Sequence, residues 1–126
     1  MENENSHILI IEDDAFLSNI YKTKFEFEGF KVSTAENGQI GLNDARKKKP
    51  DLILLDILMP VMDGFTFLEE YKKDKAIKEI PVILLTNLGQ KDDVQKGLEL
   101  GAKDYIIKAH FKPSEVVEKV RKVLAA

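Results

Sequence analysis

Three short apolar runs stand out along the chain: Ile8-Leu9-Ile10-Ile11, Leu52-Ile53-Leu54-Leu55 and Val82-Ile83-Leu84-Leu85. Each is continuous rather than alternating, the pattern of a strand buried on both faces of a parallel sheet. Two weaker strands are predicted at Lys31–Ala35 and Asp104–Ile107. The segments between them read as helices. Phe16, Leu17, Ile20, Tyr21 and Phe25 fall on one side of a first helix, which Gly29 is placed to end in a left-handed cap. Asn37-Gly38 starts a second helix carrying Ile40, Leu42 and Ala45, and Pro50 stops it. A third begins near Gly64 with Phe65, Leu68 and Tyr71. A fourth carries Val94 and Leu98 and ends near Gly101. The last has Pro113 at its first position and Glu115 in its first turn. Val116, Val117, Val120, Val123 and Leu124 follow it at helical spacing.

Strand and helix therefore alternate five times. Parallel strands need crossover connections, and these run right-handed. The predicted fold class is α/β, an open, doubly wound five-stranded parallel sheet with helices on both faces. A length of 126 residues suits one domain, 1–126, with residues 1–6 as a flexible N-terminal tail. At 44% hydrophobic residues the chain can bury a core. No apolar run approaches the roughly 20 residues of a membrane span, and Met1–Ser6 lacks the flanks of a signal peptide. Cysteine is absent, which removes disulfides, thiol nucleophiles and cysteine metal sites. A cytoplasmic location is expected, with no membrane partner. The net charge of −3 argues against direct nucleic-acid binding. The one basic cluster, Arg46 to Lys49, reads as a solvated helix end, where cations suit the dipole.

In a parallel sheet the carboxyl ends of all strands share one edge, and ligands bind there. Glu12, Asp13 and Asp14 follow the first run, Asp56 the third strand, Thr86 the fourth and Lys108 the fifth. Clustered carboxylates raise one another's pKa unless a cation neutralises them. Oxygen ligands around an open site suit a hard divalent ion such as Mg2+, which shares its coordination with waters and phosphate oxygens. Glu12, Asp13 and Asp56 are the candidate metal group, and Asp14 is read as the cap of the first helix. A carboxylate can be the nucleophile that forms an acyl phosphate. Lys108 and the Thr86 hydroxyl would then face phosphoryl oxygens. Taken singly, both also read as ordinary strand-end residues.

The motifs Ile10-Ile11-Glu12-Asp13-Asp14, Leu54-Leu55-Asp56-Ile57-Leu58-Met59-Pro60 with Met62-Asp63-Gly64, Leu84-Leu85-Thr86, and Gly101-Ala102-Lys103-Asp104-Tyr105-Ile106-Ile107-Lys108 together resemble the receiver domain of two-component response regulators. They span about His7 to Leu124 in the family's order. The resemblance implies a flavodoxin-like (βα)5 sheet of strand order 2-1-3-4-5. It implies that Asp56 accepts a phosphoryl group from a sensor histidine kinase or phosphotransfer protein. Mg2+ would be held by Asp13, Asp56 and the Leu58 backbone carbonyl, with Glu12 acting through water. Lys108 and Thr86 would contact the phosphoryl oxygens, and Asn87 is a phosphate-facing candidate beside them. Tyr105 would turn inward when Thr86 moves toward the phosphate. The fourth helix, fifth strand and fifth helix would face an unidentified downstream protein. The chain would be a monomer or a phosphorylation-linked dimer. It would be a signalling acceptor that assists only its own phosphorylation and slow dephosphorylation, not a turnover enzyme.

Three positions depart from the family pattern. Lys108 precedes Ala109 where proline is usual, and a cis bond before a non-proline residue costs about 2.5–4 kcal/mol. A trans 108–109 bond is therefore expected. Asn87 stands where a very small residue is usual and could crowd the donor or bind the phosphate. Leu58 and Leu88 flank the expected path of hydrolytic water, and neither can orient it, so slow dephosphorylation is expected. Two rival classes remain. A phosphorylation-independent pseudo-receiver would be an interaction module only. A Mg2+-dependent aspartyl phosphatase would need an acid two residues after Asp56, where Leu58 stands. A nucleotide-binding loop is disfavoured, because Glu12, Asp13 and Asp14 would repel phosphate and no P-loop motif is present.

Overall fold

The structure, a computed structural model, describes residues 5–87, 91–108 and 112–126. Its elements follow the predicted alternation: β1 (His7–Ile11), α1 (Ala15–Phe27), β2 (Lys31–Ala35), α2 (Gly38–Lys48), β3 (Leu52–Asp56), α3 (Gly64–Lys73), β4 (Val82–Thr86), α4 (Lys91–Glu99), β5 (Asp104–Ile107) and α5 (Pro113–Ala125). All strand pairs are parallel, in the order β2-β1-β3-β4-β5.

The continuous apolar runs are explained by the two faces they serve. In β1, Ile8 and Ile10 point toward Tyr21 and Phe25 of α1 and Val116, Val117 and Val120 of α5. Leu9 and Ile11 point to the other face, packed with Leu42 of α2 and Phe67, Leu68 and Tyr71 of α3. A strand sandwiched this way has no solvated side on which to place polar residues. The helix ends carry the expected chemistry. Asn37 caps α2 by accepting from Ile40 N (2.9 Å), and Asp63 caps α3 by accepting from Thr66 N (2.8 Å). Gly29 follows α1 with φ +96°, the left-handed geometry that glycine adopts without strain.

Two expectations about the helices are corrected. Phe16 and Ile20 do not line the core side of α1. Ser18, Tyr21 and Phe25 do, and Phe16 stands 77% exposed. The periodicity of 16, 20 and 21 fits two different stripes, and the tertiary packing chose the one centred on 18, 21 and 25. Ile40 is likewise exposed, while Gly38, Gly41, Leu42 and Ala45 form the buried side of α2. Of the N-terminal segment, residues 1–4 lie outside the described part. Asn5 N donates to Gly29 O (3.0 Å) and Ser6 O accepts from Lys31 N (2.9 Å). Among the described residues no helix is long and apolar enough to cross a membrane.

Candidate functional site

The carboxyl edge of the sheet gathers the predicted residues. Glu12 continues β1 by one residue, its N–H donating to Ala35 O (3.0 Å), and this turns its side chain into the fold, where the residue is 2% exposed. Asp13 projects outward. Asp14 is held by the helix, accepting from Phe16 N (3.0 Å) and Leu17 N (3.1 Å), which leaves it the capping role. Asp56 and Thr86 are the last residues of β3 and β4 rather than the first of the loops, and both are buried. Lys108 follows β5, anchored by its N–H to Thr86 O (2.9 Å).

Glu12, Asp13 and Asp56 each offer one carboxylate oxygen, and the three lie within 4.8 Å of one another. Lys108 Nζ reaches Glu12 Oε1 at 2.7 Å and Asp56 Oδ1 at 3.1 Å. The Lys108 ammonium is thus the partner of the buried Glu12 Oε1 and is shared with Asp56. Burial pushes the Glu12 carboxyl up to about 8, and the neighbouring Asp56 adds to the rise that Lys108 only partly offsets. Burial alone would lower the Lys108 ammonium, but the Glu12 and Asp56 oxygens outweigh it and its net shift is upward. The site thus carries more negative charge than one ammonium neutralises. An all-oxygen donor set of three carboxylates within 4.8 Å of one another fits a hard divalent cation.

The loop after β3 is shaped by backbone packing. Gly64 N donates to Ile57 O (2.8 Å), and a Cβ on Gly64 would sit 2.7 Å from Asp56 O and 2.9 Å from Ile57 Cα. Only glycine lets the start of α3 rest on the backbone that carries Asp56. Met62 N donates to Pro60 O (2.8 Å) across Val61, which has φ +71° and is 81% exposed. This is a three-residue γ-turn with a β-branched residue at its strained centre. The Leu58 side chain beside it is 52% exposed.

Thr86 Oγ1 lies 3.4 Å from Asn87 O, and Asn87 is exposed. Tyr105 is half-buried on β5, its ring 5.3 Å from Lys119 Nζ, which also pairs with Asp104 Oδ1 at 3.2 Å. Ala109 and Leu88 lie outside the described residues, so the expected trans 108–109 bond and the second leucine fall there too. Glu12 and Lys108 were expected on one edge, but their direct contact was not legible from the sequence. The two residues follow strands separated by β3 and β4, and no spacing rule links them. The turn at Val61 was missed as well, because valine is not a residue that signals positive φ.

A fivefold alternating α/β sheet with an acid triad and a lysine at its carboxyl edge defines a receiver-type signalling fold. The family model of the response regulator receiver domain matches residues 8–121, and the chain belongs to that family. It is 40% identical to the ycf27 protein of Porphyra purpurea over 124 residues, covering 98% of this chain and 49% of that protein. It is 39% identical over 117 residues to RpaA of Synechocystis, named a DNA-binding dual master transcriptional regulator, covering 93% and 48%. The chain spans about half the length of the curated relatives it matches. Among solved structures it superposes on a CheY-like response regulator receiver domain protein of Methanospirillum hungatei. That match has TM-score 0.88 at 30% identity and covers 97% of this chain and 95% of the other.

Proposed function

We propose that residues 1–126 act as one phospho-acceptor module, with Asp56 the acceptor. The observation that carries this is the buried Asp56 carboxylate grouped with those of Glu12 and Asp13 and lying 3.1 Å from Lys108 Nζ, which also reaches Glu12. An Asp56 oxygen attacks the phosphorus of a phosphohistidine on a histidine kinase or phosphotransfer protein. The N–P bond breaks, the histidine nitrogen keeps the electron pair, and an acyl phosphate forms. Lys108 moves from paired carboxylates to a phosphoryl oxygen, and the Thr86 hydroxyl donates to another. Asp13, Asp56 and the Leu58 carbonyl would hold Mg2+, with Glu12 behind them, and the ion would offset the charge of the acids and of the phosphoryl group. Asn87, exposed at the rim, faces the incoming group.

Thr86 drawn toward the phosphate leaves room beside β4 for Tyr105 to turn inward. This alters the face made by α4, β5 and α5 for a protein target. Only a partner with different affinities for the two forms converts this into a signal. The DNA binding that RpaA's name states belongs to a protein about twice this length and is not assigned to these residues.

The test uses beryllium fluoride as a tetrahedral surrogate for the phosphoryl group, followed by amide NMR in the presence of Mg2+. The expected result is a change at Asp56 and Thr86 that extends to Tyr105 and is lost in Asp56→Asn. Mg2+ binding with no response to the fluoride would favour the interaction-only module instead.

A further inference from the structure

Helix α1 starts at the carboxyl edge of the sheet, and helical side chains lean toward the N-terminus of their own helix. Its buried side carries Tyr21, 2% exposed and packed in the cluster that holds Ile10, Leu54 and Ile106. Strand alternation puts Glu12, Asp56 and Lys108, each two residues further on, on that same side of the sheet. The Tyr21 ring therefore leans toward the underside of the site. The charges of the site reach it there. Burial pushes the phenol up, the Lys108 ammonium pulls it down, and the Glu12 and Asp56 carboxylates push it up again.

Among the described residues two tyrosines are buried, and their hydroxyls differ. That of Tyr71 donates to Ile80 O at 2.5 Å. That of Tyr21 makes no hydrogen bond among the described residues. A buried phenol usually finds a partner, so the idle group calls for an account. The resting site offers it none. Glu12 Oε2 accepts from Asp14 N at 3.2 Å, and Glu12 Oε1 holds the Lys108 ammonium at 2.7 Å. Phosphorylation changes this balance. Once Lys108 moves to a phosphoryl oxygen, Glu12 Oε1 loses its ammonium, on a residue only 2% exposed to water.

We propose that Tyr21 is a positioning residue whose hydroxyl takes over Glu12 Oε1 when Lys108 leaves it. The occasion for the hand-over rests on the acceptor reading of Asp56, but the hand-over itself involves only Tyr21, Glu12 and Lys108. A phenol both donates and accepts, so it serves Glu12 whether that group is ionised or protonated. It carries no charge, so it does not hold Lys108 back from the phosphoryl group as a further carboxylate would. The hydroxyl thus favours the phosphorylated state and adds nothing to the resting one.

A double-mutant cycle in chelator tests the hand-over without phosphate. Tyr21→Phe keeps the ring and removes only the hydroxyl. In the native chain it should move the melting temperature by less than about 1 °C, because no hydrogen bond is lost. In Lys108→Met, where Glu12 has already lost the ammonium, it should lower the melting temperature by about 4 °C, the effect of one hydrogen bond in a chain of this length. Equal shifts in the two backgrounds mean that the hydroxyl only packs, and overturn the proposal. The second arm is calorimetric titration with beryllium fluoride in Mg2+. Tyr21→Phe should weaken fluoride binding about fivefold, the loss of one neutral hydrogen bond, and leave Mg2+ affinity unchanged. Fluoride bound equally by both chains overturns the proposal as well. A native chain that ignores fluoride sinks the acceptor reading instead, and the melting cycle alone then decides whether Tyr21 and Lys108 share Glu12.

Discussion

At the residue scale the site is a charge problem that one lysine offsets only in part. Glu12 and Asp56 are almost fully buried, and Lys108 is the cation both reach. Breaking a buried pair by removing one partner costs about 3–5 kcal/mol, because the remaining charge is stranded. Lys108→Met should therefore lower the melting temperature of metal-free protein by about 10 °C for a chain of this size, with part of the loss restored by Mg2+. An unchanged melting temperature in chelator would show that the pair contributes nothing. Leu58 offers no polar atom in its side chain to steer water toward an acyl phosphate. Leu58→Asn is expected to shorten the lifetime of the phosphorylated form by about tenfold, less than the roughly 100-fold or more of a positioned acid or base, because an amide only orients the water. A time course of intact mass after donor removal reads this directly, and an equal or longer lifetime in the variant counts against the role given to Leu58.

At the element scale, what holds the acceptor in place is the seat of α3 on β3. Gly64→Ala drives a Cβ into the backbone of Asp56 and Ile57, where no side chain can yield. It should destabilise the fold by about 1–3 kcal/mol, as overpacked sites do, and weaken Mg2+ binding more than a distant substitution of equal cost. Chemical denaturation paired with calorimetric Mg2+ titration separates the two effects; native Mg2+ affinity in the variant would rule out a positioning role.

A second contact fastens α1 to α5. Glu28 Oε1 lies 3.1 Å from Arg121, and Oε2 lies 3.2 Å from Lys24. Lys24 first and Arg121 second hold the Glu28 carboxyl below its ordinary value of 4.5. A lowered folded-state pKa adds stability that is complete above 4.5 and fades as pH falls through the lowered value. Arg121→Gln should make the acid limb of the melting curve shallower between about pH 3 and 5. A steeper limb would reverse the sign of this account.

At the scale of the whole molecule, the sheet was legible because its strands are buried on both faces. The runs at 8, 52 and 82 have no polar interruption, and the strands at Lys31 and Asp104 were found at their observed bounds. The side on which α1 packs was not legible, because Phe16 and Ile20 belong to an outer apolar line that mimics a core stripe. Strand order came from the resemblance alone, since periodicity does not reveal which strands are neighbours. Site residues were readable as those following each run, because parallel strands deliver their carboxyl ends to one edge. The Glu12–Lys108 contact and the turn at Val61 were not, as each depends on tertiary placement with no local signal.

The central claim is that this edge takes a phosphoryl group on Asp56 with the help of Mg2+. Intact-mass analysis after incubation with a small-molecule phosphodonor tests it most directly, with and without Mg2+, on the native chain and on Asp56→Asn. The account predicts the gain of one phosphoryl group that requires both Mg2+ and Asp56. No gain in a folded, Mg2+-bound protein, or an equal gain in Asp56→Asn, would contradict it.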